Sequence, residues 1–138
     1  MQRRACLDAG TIHQHYIQDP PPKVENLFVD IENGKIHAIV PEQILVEVFK
    51  QLCVVRGKGY ALKVINDIYA NEYLEIRSLS KDLVAEAGRL KCQYRDIVSY
   101  NDAILIALAV QESAMLHTTE KNLPQIPGLK VVKYVFDA

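Results

Sequence analysis

Apolar positions along this chain come in short runs whose period changes from run to run. Ala5-Cys6-Leu7 is a brief continuous run that stops at Asp8 and is followed by Ala9-Gly10-Thr11. It predicts a first strand ending at an acid and a turn. Asp19-Pro20-Pro21-Pro22 then interrupts the pattern, because prolines fix an extended backbone and remove amide donors. Val24, Leu27, Phe28 and Ile31 recur at helical spacing, and Gly34 is a natural terminator. Lys35 to Val40 predicts a second strand. Pro41 suits the first position of a helix that carries Ile44, Leu45, Val48, Phe49 and Leu52 toward Gly57.

The second half continues the alternation. Leu62, Ile65, Ile68 and Tyr69 form the inner face of a helix from about Gly59 to Ala70, and Tyr73 to Leu79 alternates like a short strand. Ser80 caps a helix with Leu83, Ala87 and Leu90 inward. From Ala103 to Val110 nearly every position is apolar, which marks a helix with no watery side. Yet Asn101 and Asp102 stand at its mouth, within Ser99-Tyr100-Asn101-Asp102, a match to the S-x-x-D capping box. A strand from Ala114 to Thr118, a turn through Pro124 and Pro127, and a last strand from Lys130 to Phe136 close the chain. Strands alternating with helices predict one α/β domain over residues 1–138, with a central parallel sheet of about five strands and helices on both faces.

Composition changes the picture only a little. At 49% hydrophobic, 138 residues supply one real core. A formal net charge of −1 and a pI near 6.4 exclude a wholly basic nucleic-acid coat but leave room for a local basic path. Cys6, Cys53 and Cys92 show no C-x-x-C spacing and read as buried, reduced thiols. The longest apolar run is too short to span a bilayer, and no signal segment follows the charged start, so a soluble cytoplasmic protein is expected. Neither G-x-x-x-x-G-K nor G-x-G-x-x-G occurs, which leaves ATP or NAD use without support.

Ligands of open parallel sheets bind outside the carboxyl ends of the strands. Asp8 ends the first strand, Asp102 opens the helix before the fourth, and Glu120 follows the fourth, so chain order alone places these three near one rim. Glu47, flanked by Val46 and Val48 on its helix, can turn toward the same rim. Singly, each has a plainer account: a strand end, a solvent-facing carboxylate, a helix cap, a polar turn. Jointly, carboxylates without a His or Cys set point to a hard cation, Mg²⁺ or Mn²⁺. The four histidines do not pair: His13 and His15 would face apart on a helix, and His37 and His117 sit in strand-like stretches.

With these positions located, the chain resembles the PIN-domain ribonucleases seen in VapC toxins of toxin–antitoxin pairs. "CLDAGTI" is similar to the family's opening strand and first acid, and "IVPEQILVEVFKQL" to its second strand and the helix bearing its acid, here Glu47. "VSYNDAILIALAVQESAMLHTTEKNL" resembles its most recognisable segment, with the third acid at Asp102. There Thr118, Thr119 and Glu120 stand where the family usually shows a Thr, any residue and an Asp. Two departures are visible: Ala9 and Gly10 replace the hydroxyl residue that often follows the first acid, and Glu120 is one methylene longer than Asp.

The resemblance implies a metal-dependent endoribonuclease. Asp8, Glu47 and Asp102 would ligate Mg²⁺ or Mn²⁺, with Glu120 as a fourth catalytic acid. Thr118 would hydrogen-bond an acid or a phosphate. Cations for the RNA would come from Arg56 and Lys121, with Lys58, Arg89 and Arg95 as further candidates. No aromatic and basic interleaving of the RRM type appears, which favours contacts to RNA backbone and shape. The resemblance further implies a homodimer and an antitoxin partner. Two alternatives remain: a non-catalytic RNA- or protein-binding module on the same fold, and a haloacid-dehalogenase-type phosphatase suggested by "DAGT", which would need an acid where Gly10 stands.

Overall fold

The computed structural model describes residues 2–135. Five strands, β1 (Arg3–Leu7), β2 (Ile36–Pro41), β3 (Leu74–Arg77), β4 (Met115–Thr118) and β5 (Lys130–Lys133), form one sheet in the order β3-β2-β1-β4-β5. Every pairing is parallel. The central strands are buried almost without alternation, as expected where helices cover both faces, whereas edge strand β5 has no fully buried position.

Six helices connect them: α1 (Ala9–His15), α2 (Pro22–Glu32), α3 (Ile44–Arg56), α4 (Lys58–Ala70), α5 (Lys81–Gln93) and α6 (Tyr100–Gln111). The chain steps outward from β1 to β2 to β3, then crosses back to β4. Right-handed crossovers therefore put α1–α4 on one face and α5 and α6 on the other. Contacts follow that division, with α2 and α3 against β2, α4 against β3, and α6 against β1, β2 and β4. Helix α6 buries Ala103 and Leu105 through Ala109, which accounts for its nearly unbroken apolar sequence.

Three local readings are corrected. Ala9-Gly10-Thr11 is the first turn of α1, because Asp8 acts as an N-cap whose side chain accepts from the Thr11 amide. Pro41 closes β2 in register with Arg77, and α3 begins three residues later. Phe136, expected in the last strand, lies outside the described residues, and β5 ends at Lys133. The cysteines also differ from expectation, since Cys6 is buried but Cys53 is half-buried and Cys92 exposed, all as free thiols. Among the described residues no helix is long and apolar enough to cross a membrane.

Candidate functional site

Strand β1 has its successor β2 on one side and β4 on the other, so the order in which strands are added reverses beside it. Open parallel sheets form a crevice at such a switch point, outside the carboxyl ends of the strands. Asp8 sits there, immediately after β1, and its amide donates to the His117 carbonyl of β4 at 3.1 Å. A cleft of about 470 Å³ opens at this rim, lined by Asp8, Glu47, Asp102 and Glu120. Helices α1, α3 and α6 all start at the cleft, with Asp8 as the cap of α1 and Glu47 and Asp102 in the first turns of α3 and α6. Their N-terminal partial charges favour carboxylates at that place.

Each acid is held differently. Asp8, only 6% exposed, accepts from the Thr11 amide at 2.7 Å on Oδ1. Its Oδ2 accepts from the Thr118 hydroxyl at 2.6 Å and the Thr119 amide at 2.9 Å. Glu47 is clamped by two amide side chains: Asn101 Nδ2 donates to Oε1 at 3.1 Å, and Gln51 Nε2 to Oε2 at 3.2 Å. Glu120 is exposed and accepts from the Lys121 and Asn122 amides. Asp102 stands at the third position of α6, where its amide donates to Ser99 Oγ at 3.1 Å. Burial pushes the Asp102 carboxyl up to about 6; the Ser99 hydrogen bond opposes that shift, and the charges of Glu120, Asp8 and Glu47 add to it.

The predicted substrate-contacting residues separate. Thr118 is 1% exposed, and its hydroxyl both donates to Asp8 and accepts from the Glu120 amide, so it positions an acid and is closed to a phosphate. Arg56 lies at the far end of α3, its guanidinium 4.0 Å from the centroid of the Tyr60 ring, in a second cleft with His13, Tyr16 and Gln18. Lys58 begins α4 at that same end, and Arg89 pairs with Glu86. Arg95 is exposed in the turn after α5. Lys121 is exposed between Glu120 and Asn122, which both line the acidic cleft. Among the described residues lining that cleft there is no lysine or arginine.

Sequence reasoning missed Asn101 and Gln51. Gln51 lies one helical turn beyond Glu47, a spacing that brings side chains together and was the available signal. Asn101 adjoins Asp102, but its reach to another helix has no local signature. The structure also explains Gly10. A Cβ there would stand 2.0 Å from Thr119 Oγ1, so the missing hydroxyl residue makes way for the β4 end. Thr11 sends its own hydroxyl to the His117 carbonyl at 3.2 Å. His37 pairs with Glu75 and His117 with Tyr134, each at 2.7 Å, so neither belongs to the acid cluster.

A lining with four carboxylates and no His or Cys, and the mutual repulsion felt by Asp102, fit a hard divalent cation. Among the described residues no three His, Cys, Asp or Glu side chains already stand as a coordination set.

An all-parallel, doubly covered sheet with an acidic cleft at its switch point defines the class of α/β domain in hand. The PIN domain family matches residues 5–129, and the chain belongs to that family. This membership sets the phosphatase alternative aside. Among solved structures, the chain is similar to VapBC2 from Rickettsia felis bound to a DNA fragment from its promoter (TM-score 0.71, 20% identity, covering 96% of this chain and 99% of that one). It is similar to DNA-bound VapBC from Salmonella typhimurium (0.71, 15%, covering 96% and 98%). It also resembles VapC20 from Mycobacterium tuberculosis, a toxin cleaving the sarcin-ricin loop (0.65, 11%, covering 83% and 87%). The curated proteins contain no sequence match to the chain.

Proposed function

We propose that this PIN-domain protein is a Mg²⁺- or Mn²⁺-dependent endoribonuclease, the toxin of a toxin–antitoxin pair. The observation that carries the reading is the convergence of Asp8, Glu47, Asp102 and Glu120 on one cleft at the starts of three helices. Asp8, Asp102 and Glu47 would hold the ion, with Glu120 at the outer edge. When bound, such an ion lowers the pKa of a coordinated water and neutralises charge on the scissile phosphate.

The protein's own part is rigidity. Three donors fix Asp8, the two amides fix Glu47, and the capped first turn of α6 fixes Asp102. Outer hydrogen bonds of this kind set ligand orientation and basicity. The toxin assignment, RNA as substrate and an antitoxin partner extend the similarity to the VapBC and VapC20 structures, and a homodimer and a cytoplasmic setting are part of the same proposal.

The test is a calorimetric Mn²⁺ titration of wild type and Asp102→Asn, with thermal melts and cleavage of single-stranded RNA. Wild type should bind Mn²⁺ and cut, and a folded Asp102→Asn protein should do neither. If neither protein binds Mn²⁺ but both bind RNA, the fold serves as a non-catalytic binding module.

A further inference from the structure

Tyr100 is the first residue of α6, two positions before Asp102, and it is 75% exposed. An aromatic side chain so open contributes little to the core, yet it is held in place. Lys91 Nζ stands 4.9 Å from the centroid of its ring. That ammonium is itself fixed by the carbonyls of Arg95 and Val98, each at 2.8 Å. A cation at this distance attracts the ring face electrostatically. With Lys91 against one face and most of the residue in solvent, the other face is presented outward.

Around it runs an apolar groove of about 310 Å³, lined by Tyr100, Ala103 and Ile104 of α6 and by Val84, Ala87 and Gly88 of α5. Asn101 and Asp102 line the acidic cleft on the other flank of the same helical turn. Two residues along a helix rise only about 3 Å, so cleft and groove share one ridge. Lys91 also lines the groove, placing a positive charge beside the ring. Ile97, 61% exposed, extends the apolar rim into the cleft itself.

We infer that Tyr100 is a substrate-contacting residue that stacks one unpaired nucleobase of the RNA next to the cleavage site, with Lys91 as support for the ring. This rests on the nuclease reading above and narrows it to single-stranded RNA, whose splayed bases are recognised by stacking on aromatic side chains. Stacking needs a π face and no hydroxyl, and that sets the variants.

The experiment is steady-state cleavage of a labelled, mixed-sequence single-stranded oligoribonucleotide in Mn²⁺ by wild type, Tyr100→Phe, Tyr100→Leu and Tyr100→Ala. Mn²⁺ calorimetry and light scattering are run on each protein. Tyr100→Phe should match wild type, while Tyr100→Leu and Tyr100→Ala should raise KM by about tenfold with kcat and Mn²⁺ affinity held. Leu performing as well as Tyr, or KM unmoved in all variants, overturns the inference and leaves the nuclease reading intact. A change of oligomeric state with unchanged RNA kinetics also overturns it, because the groove is then a protein interface. A wild type that neither binds Mn²⁺ nor cuts RNA removes both readings together.

Discussion

Replacing Asp8 by Asn would set an NH₂ against a donor in either orientation, because Oδ1 receives the Thr11 amide and Oδ2 receives the Thr119 amide. One backbone N–H would lose its acceptor at a residue that is only 6% exposed. The expected cost is about 1–3 kcal/mol of stability, read from denaturant unfolding in the presence of a chelator, so loss of activity in this variant would not isolate a metal ligand. Thr118 is more informative. Thr118→Val removes the hydroxyl that donates to Asp8 and accepts from Glu120, while keeping a branched side chain of similar size. Mn²⁺ affinity should fall at least about tenfold, the usual scale for an outer-shell partner, and Thr118→Ser should restore most of it. Calorimetric affinity unchanged in the Val variant would show that the hydroxyl does not orient Asp8.

At the scale of elements, α1 and β4 are fitted together at Gly10. Gly10→Ala would bring Cβ to within 2.0 Å of Thr119 Oγ1 and 3.1 Å of Thr119 Cβ and Cγ2, so rotation of one bond does not relieve the contact. Overpacking of this kind costs about 1–3 kcal/mol, and the strain falls on the loop that holds Asp8. Thr119→Ala in the same protein should recover part of the loss. The pair should therefore couple in a double-mutant cycle by more than about 0.5 kcal/mol, measured by chemical denaturation. The same junction shows why the sequence was readable in some places and opaque in others. Long apolar periods placed α2 to α6 and the buried strands, although in α4 the buried face is Ala61, Val64 and Ile68, and Leu62 and Tyr69, expected inward, are exposed. Ala-Gly-Thr reads as a turn because glycine opposes helix, and only the cap supplied by Asp8, together with packing on β4, turns it into α1. The acids could be placed because chain order and the carboxyl-end rule act on single residues. The Asn101–Glu47 contact joins positions 54 apart and no local pattern encodes it. Arg56 drew the RNA reading as a basic residue at the Gly57 end of its helix, and nine residues of helix carry it about 13 Å along α3 from Glu47.

For the whole molecule, the acidic cleft sets function against stability, and pH reveals the balance. Asp102 has its carboxyl raised from 3.8 to about 6, so the folded protein holds that proton more tightly than the unfolded chain. Below pH 3.8 both states are protonated and the group is neutral in effect. Between 3.8 and 6 the unfolded chain releases the proton first, and stability falls as pH rises. Above 6 the full penalty persists. A shift of about two units corresponds to roughly 3 kcal/mol, reduced to about 1–2 kcal/mol because the carboxyl is partly exposed and screened. His117, lowered to about 4 chiefly by burial, acts in the opposite sense and destabilises the fold as pH drops from 6.5 through 4. That contribution is common to wild type and an Asp102 variant and cancels between them. In chelator at pH 8, Asp102→Asn should therefore melt roughly 3–8 °C above wild type, the gap closing as pH approaches 4. Saturating Mn²⁺ should reverse the order, since an ion at a hundred times its Kd adds about 2.7 kcal/mol to a protein that binds it and nothing to one that has lost the ligand. A residue that only capped α6 would change the melting temperature by the same amount with or without Mn²⁺, so the crossing of the two curves is the measurement that separates a metal ligand from a cap.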